Sequence, residues 1–301
     1  MTIEVLARAV GVRREFGDVV ALDGVTLDVF GEQLVGMLGP NGAGKSTLIS
    51  LMLGLRRPSA GRVELFGGDP REPGRRSQVG CTPQETGLPP TLSVREVVDF
   101  VGGHFPNPVP THELLGRFAL QELTRKQTGA LSGGQQRRLA VALAFVGRPR
   151  LVVLDEPTTG LDVDARRALW DGIRDFHASG GTVLLTSHYL EEVEALAERV
   201  VVMAAGRVVA DDTVRAVRSR VELRRVSLNL PAGYLLGSVE GASQVEIHGG
   251  TTHLLTPDAD AVVRELIRAD VPFADLAVRG ASLEEAFVAM TRGAQEAVTT
   301  E

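Results

Sequence analysis

With 301 residues the chain has room for about two domains of roughly 150 residues each, and a composition of 44% hydrophobic and 23% charged residues excludes a disordered polymer. Its 32 basic against 38 acidic side chains leave a net charge of −6, which argues against a nucleic-acid partner, because phosphate binding needs surplus cations. No apolar run nears the roughly 20 residues that span a bilayer, the opening MTIEVLARAV has no basic-then-apolar signal layout, and the single Cys81 allows no internal disulfide, so a cytosolic chain is expected.

The first third reads as strands. Stretches rich in Val, Ile and Leu at Glu4–Arg13, Val19–Val29 and Gln33–Leu38 are broken by Gly or Asp. The apolar run Leu34–Leu38 ends in Gly39, and Leu48, Leu51 and Met52 then recur at helical spacing, which gives strand, glycine loop, helix. From about Thr86 to Arg150 the pattern turns helical, with Ser93 and Thr111 as expected N-caps and a three-proline loop at Gly102–Pro110. Strands return at Leu151–Leu154, Thr182–Thr186 and Val200–Met203, separated by helices around Asp164–Ala178 and Tyr189–Glu198. Alternating strands and helices predict a largely parallel sheet covered on both faces, with the segment 86–150 as a helical lobe.

A boundary is expected near Val214–Arg220, where this rhythm fades, dividing the chain into 1–215 and 216–301. The second part carries candidate strands at Val221–Leu230 and Gln244–Thr256, the latter folded at Gly249-Gly250 as a hairpin. Helices follow at Asp258–Ala269 and Ser282–Arg292, the second opening with the capping pair Ser282 and Glu285. This is a small α+β unit.

Three motifs carry chemistry. Gly39-Pro-Asn-Gly-Ala-Gly-Lys-Ser-Thr47 fits G-x-x-x-x-G-K-[ST], in which glycines let backbone N–H groups form a nest for phosphate oxygens at a helix N-terminus. Lys45 brings a compact charge to the β and γ phosphates, and Ser46 a hydroxyl to Mg²⁺. The only lysines are Lys45 and Lys126, so an arginine-rich chain still places lysine at this position. Next, the apolar run Leu151–Leu154 ends in Asp155-Glu156-Pro157, a poor place for paired carboxylates unless a cation neutralises them. Mg²⁺ would do so at Asp155, leaving Glu156 to orient or deprotonate a water. Finally, Leu131-Ser-Gly-Gly-Gln135 opens a helix with Leu139, Ala142, Leu143 and Val146 on one side, a second anion site. One phosphate loop per chain against two anion sites points to a two-fold dimer, each second site closing on the partner's nucleotide.

Single residues complete the set. Gln84 follows a short strand and can reach the metal and the attacking water from a loop, and His188 follows the strand Val183–Ser187 within reach of the γ-phosphate. Phe16 offers a ring to adenine, and Asp162 lies just past the acids, where a dimer seam would run. Cys81 and Trp170 are expected to be packing residues, and His248 and His253 exposed strand histidines rather than metal ligands.

Taken in order, these residues resemble the nucleotide-binding subunit of ATP-binding cassette (ABC) transporters. The phosphate loop is Gly39–Thr47, the glutamine loop Gln84, the signature Leu131–Gln135, the acidic strand end Asp155-Glu156, the aspartate loop Asp162 and the switch histidine His188. The resemblance spans about residues 4–215 and implies an α/β P-loop NTPase with a mixed, mostly parallel core sheet, an antiparallel N-terminal β subdomain and a helical lobe. It implies ATP and Mg²⁺ as cofactors. ATP would be held by Phe16 and by Gly39, Pro40, Asn41, Gly42, Ala43, Gly44, Lys45, Ser46 and Thr47. Ser132, Gly133, Gly134, Gln135 and Asp162 would close on it across the dimer. Ser46, Gln84 and Asp155 are the implied metal contacts, and Glu156, His188, Gln84 and Lys45 the implied catalytic set.

The C-terminal Leu283-Glu-Glu-Ala-Phe287 is similar to the drug-resistance branch of stand-alone ATPase subunits. That branch implies a homodimer or paralogue heterodimer, peripheral on the cytoplasmic face of the membrane. It would power a separate permease for export of a drug, antibiotic or lipid-like compound, with no nucleic acid involved. The rival is a soluble ABC-type ATPase outside transport. Such relatives usually carry two cassettes, a coiled-coil insert or zinc-binding cysteines, and this chain has none of these. A non-hydrolysing sensor would be expected to lack Glu156 or His188.

Overall fold

The computed structural model describes residues 4–82, 87–220, 223–231, 233–234, 239, 241–280, 282–288 and 290–291. Long Val- and Leu-rich stretches at the start form β1 (Val5–Phe16) and β2 (Val19–Phe30), which pair antiparallel from Val5↔Phe30 to Phe16↔Val19. Strand β3 (Leu34–Leu38) is buried at every position, as an apolar run inside a parallel sheet must be. Helix α1 (Lys45–Met52) follows the glycine loop, then β4 (Ala60–Leu65), the single turn α2 (Pro73–Arg76) and β5 (Val79–Thr82). The helical lobe supplies α3 (Val94–Gly102), α4 (Thr111–Arg117) and α5 (Gly133–Leu143). The alternating stretch gives β6 (Leu151–Asp155), α6 (Val163–Ala178), β7 (Thr182–Thr186), α7 (Leu190–Leu196), β8 (Arg199–Ala204) and β9 (Arg207–Thr213).

Two sheets result. One is three-stranded in the order β2-β1-β4 and antiparallel, and the other six-stranded in the order β5-β6-β7-β3-β8-β9. Its strands β5, β6, β7, β3 and β8 run parallel. This is the fold class expected from the sequence, a P-loop NTPase core with an antiparallel N-terminal subdomain. The apolar side of α1 (Leu48, Ile49, Leu51, Met52) joins one buried cluster with residues of both sheets, including Leu6, Leu27, Met37, Val153 and Val201. Non-directional burial of this apolar surface clamps the two sheets onto one helix, and that helix begins at Lys45.

In the lobe, Ser93 caps α3 in a reciprocal capping box with Glu96, as expected. Thr111 does not cap α4. Pro110 holds the cap position, and the Thr111 hydroxyl donates instead to Asp99 across the loop. Phe118, Phe145 and Phe176 stack in sequence, with centroids 4.9 and 5.0 Å apart, and tie the lobe to α6.

Chain contacts divide after Asp211, so the second compact unit begins at Asp212, ahead of α8 (Val214–Arg220). Its sheet runs β11-β12-β10-β13, all antiparallel, from β10 (Arg224–Asn229), β11 (Gln244–His248), β12 (Thr251–Thr256) and β13 (Ala274–Gly280). The hairpin turns at Gly249-Gly250 as expected, and α9 (Ala259–Arg268), capped by Asp258, buries Ala259, Val262 and Leu266 on Val226, Leu228 and Leu254. Ser282 and Glu285 form the expected reciprocal pair. Strands β4, β9 and β13 were not expected from the sequence. Asp211 and Asp212 lie within β9, and Asp275, at φ 53°, lies within β13.

The approach of α5 to β5 sets a sharp steric limit. A Cβ on Gly80 would lie 1.7 Å from the Ala144 carbonyl oxygen at the end of α5. Gly80→Ala should therefore cost about 1–3 kcal/mol or more by overpacking. Urea unfolding of the full chain checks this, and an unchanged midpoint would refute the contact.

Candidate functional site

The phosphate loop is built by backbone geometry first. Gly42 and Gly44 sit at φ 81° and 97°, in the left-handed region that side chains avoid. A Cβ on Gly44 would also lie 2.5 Å from the Ala21 carbonyl oxygen. This turn aims the start of α1 back over the loop. Lys45 is 7% exposed, and its ammonium donates to the carbonyl oxygens of Gly39 (2.6 Å) and Pro40 (3.1 Å). Burial pushes Lys45 below the usual lysine range, while the carboxylates of Glu156 and Asp155 pull it back up.

Those carboxylates stand at the tip of β6. Asp155 accepts from the Ser46 hydroxyl at 2.9 Å on Oδ2 and from the Thr186 hydroxyl on Oδ1. The next residue turns away. Glu156 has φ 49°, a conformation uncommon for a side-chain-bearing residue, and its N–H donates to the carbonyl oxygen and hydroxyl of Thr186 at 3.1 and 3.0 Å. The turn sends the Glu156 carboxylate to His188, whose Nδ1 lies 3.4 Å from Oε2, and to the Thr159 hydroxyl at 3.4 Å. The His188 ring lies 4.0 Å from that of Tyr189, which in turn lies beneath the Arg166 guanidinium at 5.0 Å.

Lys45, Ser46, Asp155, Glu156 and His188 are thus brought together. The other expected residues are placed differently. In the signature, Ser132 and Gln135 cap each other, the Ser132 hydroxyl accepting from the Gln135 N–H at 3.2 Å and Gln135 Oε1 from the Ser132 N–H at 3.1 Å. Ser132 and Gly133 face solvent. Asp162 caps α6 by accepting from the Ala165 N–H at 2.7 Å. Phe16 is 38% exposed at the end of β1, with the Arg14 and Arg56 guanidinia 4.5 and 5.2 Å from its ring. Gln84 lies outside the described residues.

Sequence reasoning missed two charged residues. Arg137, 8% exposed on α5, donates to the carbonyl oxygens of Asp155 (2.6 Å) and Glu156 (2.9 Å). It fastens the helix behind the signature to the backbone of the acidic pair. Glu192 is fully buried on α7 and accepts from the Thr158 hydroxyl at 3.1 Å and the Trp170 indole N–H at 3.2 Å. Trp170 is therefore a hydrogen-bond donor as well as a packing residue. An acid on the apolar stripe of α7, beside Val193 and Leu196, was the readable signal. Cys81 is exposed, not buried.

The donor set around Asp155 consists of one carboxylate and two hydroxyls, hard oxygen ligands that suit Mg²⁺. Among the described residues no group of three or more His, Cys, Asp or Glu side chains is placed to hold a metal alone.

Comparison with known proteins agrees with this chemistry. The sequence model of the ABC transporter family matches residues 22–159. The chain is 36% identical over 297 residues to a daunorubicin resistance ATP-binding protein of Streptomyces coeruleorubidus, covering 93% of this chain and 94% of that protein. It is 40% identical over 213 residues to a Nod factor export ATP-binding protein of Burkholderia lata, covering 68% and 70%. A solved ATP-binding subunit of an ABC transporter superposes with a TM-score of 0.65 at 26% identity, covering 71% of this chain and 92% of that one. With a phosphate loop, an acidic strand tip and a signature helix on one P-loop core, the chain belongs to the ABC transporter family, as an ATP-binding subunit that hydrolyses ATP.

Proposed function

We propose that this chain is the motor of an exporter, acting on a separate membrane permease whose cargo is a drug, antibiotic or lipid-like compound. The relatives named for drug resistance and for Nod factor export support that cargo class, the former aligned along nearly the whole chain. No helix among the described residues is long and apolar enough to cross a membrane, so the passage itself would belong to the partner. The chain would sit at the cytoplasmic face of that partner. The single observation that carries the motor reading is the meeting of Lys45, Ser46, Asp155, Glu156 and His188 at the end of one sheet.

In this reading residues Gly39 to Thr47 wrap the ATP phosphates with backbone N–H groups, Lys45 turns its ammonium from loop carbonyls to the β and γ phosphates, and Phe16 lies against the base. Ser46 and Asp155, together with Gln84 as the family resemblance implies, would hold Mg²⁺, which would supply neutralisation of phosphate charge for in-line attack. Glu156 takes a proton from the attacking water, and His188, 3.4 Å away, orients that carboxylate and meets the γ-phosphate. Asp155 faces Ser46 and Thr186, whereas Glu156 turns away toward His188, which assigns the role of base to Glu156.

The solvent-facing Ser132 and Gly133 start a helix whose N-terminal end attracts anions. We place Ser132, Gly133, Gly134 and Gln135 on the γ-phosphate held by a second copy or a paralogue, with Asp162 at the seam. Nucleotide then joins two subunits, and hydrolysis removes the bridging charge and reopens them. The unit from about residue 216 onward is proposed as an accessory, regulatory domain.

Two variants test these roles. Glu156→Gln should retain ATP binding and lose turnover about a hundredfold or more, the range for a lost general base. Steady-state ATPase assays decide it, and near-normal turnover would remove Glu156 from the mechanism. Ser132→Arg should keep nucleotide affinity in the single subunit but abolish turnover, because a bulky cation blocks closure. Full activity in that variant would refute the role in trans.

A further inference from the structure

Glu192 is an expensive residue in its position. It is 0% exposed on a stripe it shares with Val193 and Leu196, where an apolar side chain would be buried at no desolvation cost. As the third residue of α7 it could serve as an ordinary helix-start acid that reaches back to the Tyr189 N–H. It does not do this. That N–H donates to the Ser187 hydroxyl at 2.9 Å, and the Glu192 carboxyl turns away from its own helix start.

Its oxygens are divided between other elements. Oε2 accepts from the Thr158 hydroxyl at 3.1 Å, and Oε1 from the Trp170 indole on α6 at 3.2 Å. On the other segment, the Ser187 hydroxyl donates to the Tyr189 carbonyl oxygen at 3.2 Å, at the entry to α7, the helix that carries Glu192. Thr158 comes two residues after Glu156, and Ser187 immediately precedes His188. Glu192, four residues past His188 on α7, therefore ties that helix to the segment that carries Glu156, and the Glu156 and His188 atoms stand 3.4 Å apart. Helix α6 braces the assembly twice on one face, through Trp170 on Glu192 and, one turn earlier, Arg166 on the Tyr189 ring that packs against His188.

We propose that Glu192 is a positioning residue for ATP hydrolysis, which sets the separation of Glu156 and His188 by tying the Thr158 segment to the helix that follows His188. This deepens the motor reading and rests on its assignment of Glu156 and His188. Glu192 is fully buried, away from solvent. It acts only through the two segments it joins, so its loss shows in the chemical step and not in nucleotide binding. Misplacement of reacting groups by about 1 Å can cost on the order of a hundredfold in rate.

The test measures kcat and KM for Mg-ATP in the full chain for wild type and for Glu192→Leu, Glu192→Gln, Thr158→Val and Glu156→Gln, with folding followed by circular dichroism. Glu192→Leu and Thr158→Val should each lower kcat about tenfold or more with KM held within about twofold. Glu192→Gln keeps an oxygen for Trp170 and an amide N–H₂ for the Thr158 hydroxyl, so it should recover at least about half of wild-type turnover. The proposal is overturned if folded Glu192→Leu or Thr158→Val turns over within about twofold of wild type, if KM rises in place of a fall in kcat, or if Glu192→Gln is as slow as Glu192→Leu. Should Glu192→Leu fail to fold, Thr158→Val decides by the same thresholds. Wild-type turnover in Glu156→Gln would instead mark failure of the motor reading, whatever the Glu192 variants do.

Discussion

Two adjacent carboxylates at the tip of a buried apolar strand are the constraint to which the rest of the first unit answers. The side chains of Leu151 to Leu154 are buried, and the chain then presents Asp155 and Glu156 in immediate succession. Like charges so close disfavour each other's ionised forms unless donors and cations surround them. The parallel sheet supplies part of the answer, since β7 brings the Thr186 hydroxyl to Asp155 and its backbone to the Glu156 N–H. The core supplies the rest, because α1, clamped between the two sheets, delivers Lys45 and Ser46 to the same spot. The left-handed turn at Glu156 sends the two carboxylates to different partners, Asp155 to Ser46 and Thr186 and Glu156 to His188 and Thr159. Backbone strain is accepted where it splits a repulsive pair.

Helix α5 connects that pair to the signature. Its first turn carries Ser132 and Gly133 in solvent, and little more than one turn later Arg137 grips the backbone carbonyls of Asp155 and Glu156. Charge-assisted hydrogen bonds of this kind contribute on the order of 1.5–3 kcal/mol each, more than a neutral contact. Burial lowers the Arg137 pKa, and the two acids with Glu192 offset this, so the guanidinium is held by the charges it organises. In the dimer reading, a nucleotide of the partner subunit seated on the signature would press on a helix already fastened to the hydrolytic acids. That gives closure a mechanical route to chemistry within one subunit.

Much of this was readable from sequence because local rules and motif spacing agreed. The glycine loop, the apolar run before two acids and the Ser-Gly-Gly helix start each need only neighbouring residues, and all three take the expected local form. The same local logic explains Ser93, Ser282 and the Gly249-Gly250 turn. It misplaced Thr111, because Pro110 already supplies a backbone suited to the cap position and frees the hydroxyl for Asp99. It overlooked Arg137, Glu192 and the donor role of Trp170. Those depend on partners 18 or more residues away, and no local pattern distinguishes a buried arginine on an amphipathic helix from one on its solvated face. Strand β13 escaped because its exposed, mixed sequence lacks the alternation of a half-buried edge.

The division of labour between Asp155 and Glu156 can be measured directly by titrating each variant with a fluorescent ATP analogue in the presence and absence of Mg²⁺. The account predicts that Asp155→Asn loses the gain in affinity that Mg²⁺ confers, while Glu156→Gln keeps it in full. Loss of that gain in Glu156→Gln, or its survival in Asp155→Asn, would contradict the assignment of the two acids.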